Sequence, residues 1–387
     1  MQSSHNTDWI CLTADDYWNS NPHSRYHIAK EFTKKSKVLW VNSIGTRFPS
    51  IKKKKGISLI IRKIKSYLIY YRNPEPNLYV LSPITIPVFY GSFVKKINAE
   101  LLWLQIRIFQ AILRLKNPSY FISSPSFGIL AEKVSKYFCI YYYSDLYTSD
   151  REIKYKEEME MLDRKLYKIS KLVYCCSEKI CKTIGGNGKM PRYLPHSVDV
   201  DHFRNNIVTP AILSKLKTPI IGFYGSMTDA SNWEIIDYIT LQRPNYNFVF
   251  IGKKYLALPE IENRPNVLFI DKIPYKDVPS YGACFDVAIM FWLLRDWILH
   301  SSPLKLLEYI ALGKPVVSVD IPEVRKSFGD VVLIADDKYS FLEKVDEALH
   351  IDKGELMNRY KKILENHSWE NVVKQIYSDM EYLKYNK

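Results

Sequence analysis

Short apolar runs alternate with amphipathic stretches along most of the chain. The runs Asp8 to Thr13, Val38 to Asn42, Tyr120 to Ser123, Cys139 to Tyr143 and Leu172 to Cys175 are apolar almost throughout and too short for helices. Runs of that kind predict strands of a parallel sheet covered on both faces. A helix is expected between the first two, from about Arg25 to Lys35, after the polar and aromatic loop Ala14 to Ser24. The same plan starts again at Pro219 to Tyr224. It continues through Tyr246 to Ile251, Val267 to Ile270, Phe285 to Phe291 and Pro315 to Val319, with a helix from about Asn232. Strand–helix alternation predicts an α/β fold whose functional loops follow the C-terminal ends of the strands. Two such series in 387 residues, joined by a linker around Asn205 to Lys217, predict two domains. Their expected spans are residues 1–205 and 218–368.

The stretch from Ser302 to Ser318 (SPLKLLEYIALGKPVVS) organises the second series. Ser302 is suited to cap a helix and Pro303 to open it, because the missing N–H of proline costs nothing there. Gly313 supplies the left-handed residue that ends it, before the strand Pro315 to Val319. The helix is apolar almost all round, so it belongs inside a domain. Lys305 and Glu308, three apart, share one side of it. Glu308 lies beyond the first turn, where the helix dipole does little for a carboxylate. A buried charge needs a partner. A ribose diol would serve, with Lys305 near the phosphates; an internal Lys305–Glu308 pair would serve equally. Gly225-Ser226, at the end of the strand Pro219 to Tyr224, would let backbone N–H groups approach a phosphate. Lys253, after the next strand, could meet a pyrophosphate or simply be solvated.

The string SPLKLLEYIALGKPVVS resembles the donor-binding helix of GT-B glycosyltransferases, most closely bacterial enzymes related to glycosyltransferase family 4. The resemblance implies two Rossmann-like domains facing across a cleft, with the last helix, Trp369 to Tyr385, crossing back to the first domain. It assigns the ribose to Glu308 and puts Ser302, Leu304 and Lys305 in the donor site with it. Ile273 and Tyr275 match the place where relatives cradle the base. Asp145, in Ser144 to Tyr147, matches an aspartate-bearing loop that faces the acceptor. Tyr193 to Asp199 resembles the family's P-N-G-V-D loop, with His196 replacing Asn and Ser197 replacing Gly. Many members carry a second Glu eight residues before the first; this chain has His300 there, which leaves retention or inversion open.

Charge adds information that the strands do not. With 55 Lys and Arg against 41 Asp and Glu, the net charge is +14. That allows nucleic acid, anionic membrane or phosphorylated substrates as partners. No nucleic-acid-binding signature accompanies it, so nucleic acid is excluded as the expected partner. Eight Lys or Arg and no acid fall between Lys52 and Arg72, interleaved with Ile57, Leu59, Ile60, Ile61, Ile64, Leu68 and Ile69. This pattern suits an anionic membrane surface or a solvated face. A second amphipathic helix is expected from Phe93 to Lys116, with apolar residues at 93, 97, 101, 104, 108 and 115, and is read as a core helix. The six cysteines lack C-x-x-C spacing and read as reduced thiols, mostly buried, of a cytosolic protein. A zinc site at Cys175, Cys176 and Cys181 has the wrong spacing. The start of the chain lacks the pattern of a signal peptide, and no apolar run reaches the roughly 18 residues of a spanning helix. The expected place is therefore the cytoplasm, peripheral on the inner face of the membrane.

The expected reaction is glycosyl transfer from a nucleotide sugar (UDP-, GDP- or dTDP-linked) to a lipid-linked saccharide in surface polysaccharide synthesis. Lys305, Lys253 and the Gly225-Ser226 backbone would offset charge on the departing diphosphate. No Asp-x-Asp pair sits where a metal-dependent transferase needs one, so neither metal nor cofactor is expected. An inverting enzyme needs a general base. Asp145 is the candidate, with Asp15 or Asp16 behind it, and Trp18, Asn21, Arg25, His27 and His196 are expected on the acceptor side. His27 could equally be an ordinary helix histidine. Two other readings fit the sequence less well: a sugar-nucleotide epimerase of the same fold, which would not need the basic segment, and a binding subunit without turnover.

Overall fold

The computed structural model describes residues 7–18, 20–44, 70–86, 91–146, 156–186 and 188–385. Most of the basic run Lys52 to Arg72 therefore lies outside the described residues. Two compact units emerge. One comprises Met1–Cys176, Ile180–Leu194 and Val372–Lys387; the other comprises Ser177–Lys179 and Pro195–Asn371. The chain thus divides at Leu194, ahead of the linker read from the sequence, and His196 falls in the second unit.

The first unit is built on β1 (Trp9–Leu12), β2 (Val38–Val41), β3 (Tyr71–Glu75), β4 (Leu78–Leu81), β5 (Ser119–Ile122), β6 (Cys139–Tyr143), β7 (Leu172–Cys175) and β8 (Arg192–Tyr193). Their order in the sheet is β3-β4-β2-β1-β5-β6-β7-β8, and every pairing is parallel except β3 with β4. The β3–β4 hairpin was not read from the sequence. Its outer strand carries Pro74, which a sheet tolerates at an edge, and its turn puts Asn77 at φ 62°. The order reverses between β1 and β5, and loops at such a switch point are where open α/β sheets bind ligands.

The second unit is a purely parallel sheet of β9 (Ile220–Tyr224), β10 (Asn247–Ile251), β11 (Val267–Ile270), β12 (Val287–Met290), β13 (Val316–Val319) and β14 (Val332–Ala335). Their order β11-β10-β9-β12-β13-β14 puts the switch point between β9 and β12. β9, β12 and β13 are buried along their whole length, which is why they read as unbroken apolar runs.

The last helix, Trp369–Tyr385, joins the first unit from Val372 onward, as expected. Its Tyr377 hydroxyl accepts from Trp9 Nε1 at 3.2 Å, and its Asp379 accepts from the Tyr174 hydroxyl at 2.6 Å and pairs with Arg192. Trp9 in turn stacks on Phe32, with ring centroids 4.0 Å apart. Strand β1, the first helix (Ser24–Thr33) and the end of the chain thus share one core.

The second amphipathic helix runs Ser92–Ile112, four residues shorter at its end than expected, because the chain turns left-handed at Arg114 (φ 54°). Its buried face is Asn98, Ala99, Leu102, Ile106 and Phe109. Of the stripe read from the sequence as core, Leu115 is buried beyond the helix end and Ile97 is half-buried, but Phe93, Leu101, Leu104 and Ile108 are exposed. The helix is apolar on two sides and the sheet covers only one, so spacing alone could not choose between them. The free thiols Cys11, Cys139, Cys175 and Cys176 are buried, consistent with their reading as small apolar side chains.

Candidate functional site

The second unit gathers its chemistry at the C-terminal ends of β9 and β10. Gly225 follows β9 at φ 150° and Gly252 follows β10 at φ 137°. The two turns touch: a Cβ on Gly252 would stand 2.1 Å from the Gly225 carbonyl oxygen. No larger residue fits there. Gly225 N donates to Ile251 O at 2.8 Å and Met227 N to Lys253 O at 3.0 Å, which locks the turns in register.

Over these turns lies the helix Leu304–Ala311. It starts one residue later than Ser302 as its cap would have it. Pro303 is extended (φ −71°, ψ 110°) and occupies the capping position, and no side chain caps the helix, so Ser302 is not its N-cap. Gly313 closes it at φ 70°, as expected. Lys305 reaches back across β9, where its Nζ lies 5.6 Å from the centre of the Phe223 ring and 5.4 Å from that of Trp292. A Cβ on Gly225 would meet Lys305 Cε at 2.5 Å and Nζ at 2.8 Å. The ammonium is thus held between two aromatic faces, directly over the glycine turn.

Glu308, one turn further, is 6% exposed. Among the described residues, no ion pair closes between it and Lys305, although each charge still acts on the other. Burial pushes its carboxyl up to about 7, while Lys305 and the Tyr224 hydroxyl act to lower it. Burial likewise pulls the Lys305 ammonium down, with Glu308 opposing. The Tyr224 hydroxyl stands beside Glu308, buried and without a closed hydrogen bond. Tyr224 is held from behind: its N–H donates to the Tyr309 hydroxyl at 3.1 Å and the two rings lie 4.7 Å apart. A buried carboxyl, a buried hydroxyl beside it whose hydrogen bond is not closed and an ammonium over a glycine turn make a polar site with hydrogen-bonding capacity to spare. Such a set fits a vicinal diol at Glu308 and a phosphate at Lys305.

Around this centre, Tyr275 stacks on His202 with ring centroids 4.5 Å apart and planes at 11°, and Ile273 is half-buried two residues before it. Ser226 and Lys253 are exposed at the two turns, with Lys253 over the Tyr255 ring at 5.4 Å. Its neighbour Lys254 is engaged by Glu262 and the Phe269 ring. Leu304 and Ser302 are half-buried at the start of the helix.

In the first unit, Asp15 and Arg25 form a buried, two-pronged ion pair at the end of β1. Arg25 Nε donates to Asp15 Oδ2 at 2.7 Å and Nη2 to Oδ1 at 2.9 Å. Arg25 Nη1 also donates to Ser144 Oγ, the residue after β6 and next to Asp145, which is half-buried. Asp16 spends its carboxylate locally, accepting from Trp18 N at 3.1 Å. His27 is buried on the first helix, with its ring edge-on to Tyr26. A pocket of ≈ 190 Å³ opens beside the β1 loop, lined by Asp15, Asp16, Tyr17, Ser20, Asn21, Pro22, Tyr26 and Trp40.

Residues 218–350 match the family model described as glycosyl transferases group 1. The whole chain superposes on solved structures at low identity. Against a sucrose-phosphate synthase from Thermosynechococcus elongatus the TM-score is 0.69 at 12% identity, over 99% of this chain and 100% of that one. Against Anabaena HepE, solved with UDP and glucose, it is 0.67 at 12% identity, over 97% and 100%. This is the GT-B fold. A Bacillus subtilis protein named for teichuronic acid biosynthesis, the glycosyltransferase TuaH, is 27% identical over 164 residues. That alignment covers 40% of this chain and spans 41% of the relative's own length.

Within this GT-B chain, the whole donor-side set from Gly225 to Glu308 falls inside the matched segment. His300, at the position of the second family Glu, is buried with Nδ1 2.8 Å from the Asp296 carbonyl of its own short helix, while its carbonyl accepts from Ser177 Oγ at 2.6 Å. His196 is buried in the same unit. Tyr224, Tyr309, Phe223 and Trp292 were not singled out from the sequence. Only the aromatic residue just before Gly225 could have pointed to Tyr224.

Proposed function

We propose that the protein transfers a glycosyl group from a nucleoside diphosphate sugar to a lipid-linked saccharide in bacterial surface polysaccharide synthesis. The observation that carries this reading is the buried Glu308 carboxyl beside the Tyr224 hydroxyl, with the Lys305 ammonium over the Gly225 turn, within the segment that matches the group 1 glycosyltransferases. Glu308 accepts hydrogen bonds from the ribose hydroxyls, and the Tyr224 hydroxyl steadies the carboxylate. Lys305, with the N–H groups of the Gly225-Ser226 turn, meets the diphosphate and offsets the charge it gains on leaving. Ile273 and Tyr275 take the base, and exposed Lys253 adds positive charge at the rim. With an ammonium in that place the reaction needs no metal, and turnover is expected to persist in chelator.

The acceptor belongs to the first unit, where Arg25 joins Asp15, after β1, to Ser144, the neighbour of Asp145 after β6. In an inverting reaction Asp145 takes the proton of the attacking hydroxyl. The name of the teichuronic acid relative supports a surface polysaccharide, and the UDP bound in HepE makes UDP-sugars the first donors to try. The net charge of +14 supports work at an anionic inner membrane face. Incubating the protein with a panel of UDP-, GDP- and dTDP-sugars and a bacterial lipid extract tests the reading. Release of one nucleoside diphosphate, dependent on the extract, is expected. Binding without release from any donor would mark a non-catalytic subunit, and interconversion of the free donor an epimerase.

A further inference from the structure

The helix Ser92–Ile112 leaves an apolar face bare. Phe93 is 73% exposed, Leu104 57%, Ile108 46% and Ile112 62%, with Leu101 beside them at 40%. At about 100° per residue these side chains fall in one sector, opposite the buried Leu102, Ile106 and Phe109. The segment before the helix extends the patch. Ile84 and Ile86, 51% and 38% exposed, are fastened along it by Gln105 and Asn98, whose amides bond both backbone groups of each isoleucine. A contiguous stripe along a helix of this length is more than the scattered apolar exposure of an ordinary surface.

Charge identifies what covers it. Along one margin of the stripe run Lys96, Arg107 and Arg114, all exposed. The acids nearby are already engaged: Glu100 by Lys133 and Glu158 by Lys95. The basic run of the sequence also leads directly to Tyr70, whose hydroxyl donates to Gln105 at 3.1 Å and whose ring meets Phe109 at 5.6 Å. We infer that this face of the first unit lies in the surface of an anionic bilayer, with the apolar stripe sunk among the acyl chains and the basic margin at the headgroups. An apolar sector bounded by cations is the form of helix that lies in a membrane interface. A second copy of the chain, packed stripe to stripe, would gain no opposite charge for that margin. The inference rests on the proposed use of a lipid-linked acceptor and gives that acceptor a surface from which to enter.

Co-sedimentation with vesicles of phosphatidylglycerol and phosphatidylcholine tests it, using the full chain. Leu104→Glu/Ile108→Glu is expected to lower vesicle partitioning at least tenfold at both 0.1 M and 1 M salt, with UDP binding and thermal unfolding unchanged because both residues are exposed. Lys96→Ser/Arg114→Asn is expected to weaken binding at 0.1 M salt only, since screening at 1 M shortens the reach of charge to about 3 Å. Equal partitioning of wild type and the Glu variant overturns the inference. So does a wild-type dimer in sedimentation equilibrium that the Glu variant splits while neither form binds vesicles. Transfer to a water-soluble saccharide, measured alongside, keeps the two readings apart. Its persistence without vesicle binding removes the membrane surface alone, and its absence with salt-sensitive vesicle binding removes only glycosyl transfer.

Discussion

Lys305 rests on Gly225: a methyl group at residue 225 would stand 2.5 Å from Lys305 Cε and 2.8 Å from Nζ. The helix Leu304–Ala311 and the turn after β9 are therefore one device, in which the absent side chain of one residue makes room for the charge of the other.

Gly225→Ala tests that device. Its φ of 150° suits glycine, so the substitution strains the turn, at a cost of about 1 kcal/mol. It also displaces the ammonium from the place assigned to the diphosphate. The expected result is a folded protein with UDP affinity reduced about tenfold or more, read by calorimetry. An unchanged affinity would separate Lys305 from the phosphates.

The donor should bind better as pH rises through neutrality. Burial lifts the Glu308 carboxyl to about 7, so in the free protein it is largely protonated below that value and ionised above it. A carboxylate accepts both ribose hydroxyls, whereas the acid must surrender one acceptor position to its own proton. UDP-sugar affinity should climb up to about tenfold per unit below pH 7 and flatten above it. The contribution of Glu308 to stability moves the other way: with its folded pKa raised above the ordinary carboxylate range, that contribution is fully present below that range and is lost as pH rises through 7. Glu308→Gln should flatten both profiles.

In the first unit, Arg25→Ala removes the partner of a carboxylate that is 8% exposed. Breaking one side of a buried pair costs about 3–5 kcal/mol, because the other charge stays buried. Urea unfolding should show a loss of that size, and Arg25→Lys should recover only part of it, since an ammonium cannot grip both Asp15 oxygens. A change below about 1 kcal/mol would mean that water reaches Asp15 freely.

How much of this was legible in the sequence follows from what each residue depends on. Strands β9 to β13 were readable because a sheet covered on both faces needs unbroken apolar runs, and those runs are local. Gly225, Gly252, Lys305 and Glu308 were readable because a turn at a strand end and a charge in an apolar helix are visible without knowing the neighbours. Tyr224 was not, because its hydroxyl matters only beside Glu308, 84 residues away in the chain. The hairpin β3–β4 was hidden by Pro74, which argues against a strand unless the strand is at an edge. The face of the helix Ser92–Ile112 that meets the core was undecidable, since both faces are apolar. Ser302 was placed as the cap by residue type, but Pro303 stays extended and delays the helix to Leu304.

The most direct test of the account is UDP-sugar binding to Glu308→Ala, followed by calorimetry on a protein whose unfolding transition shows it intact. Removing one charged hydrogen-bond acceptor should cost about 1–3 kcal/mol, a loss of roughly 5- to 150-fold in affinity. The pH dependence should vanish with it. Wild-type affinity in the folded variant would contradict the account, and the ribose would have to be held elsewhere.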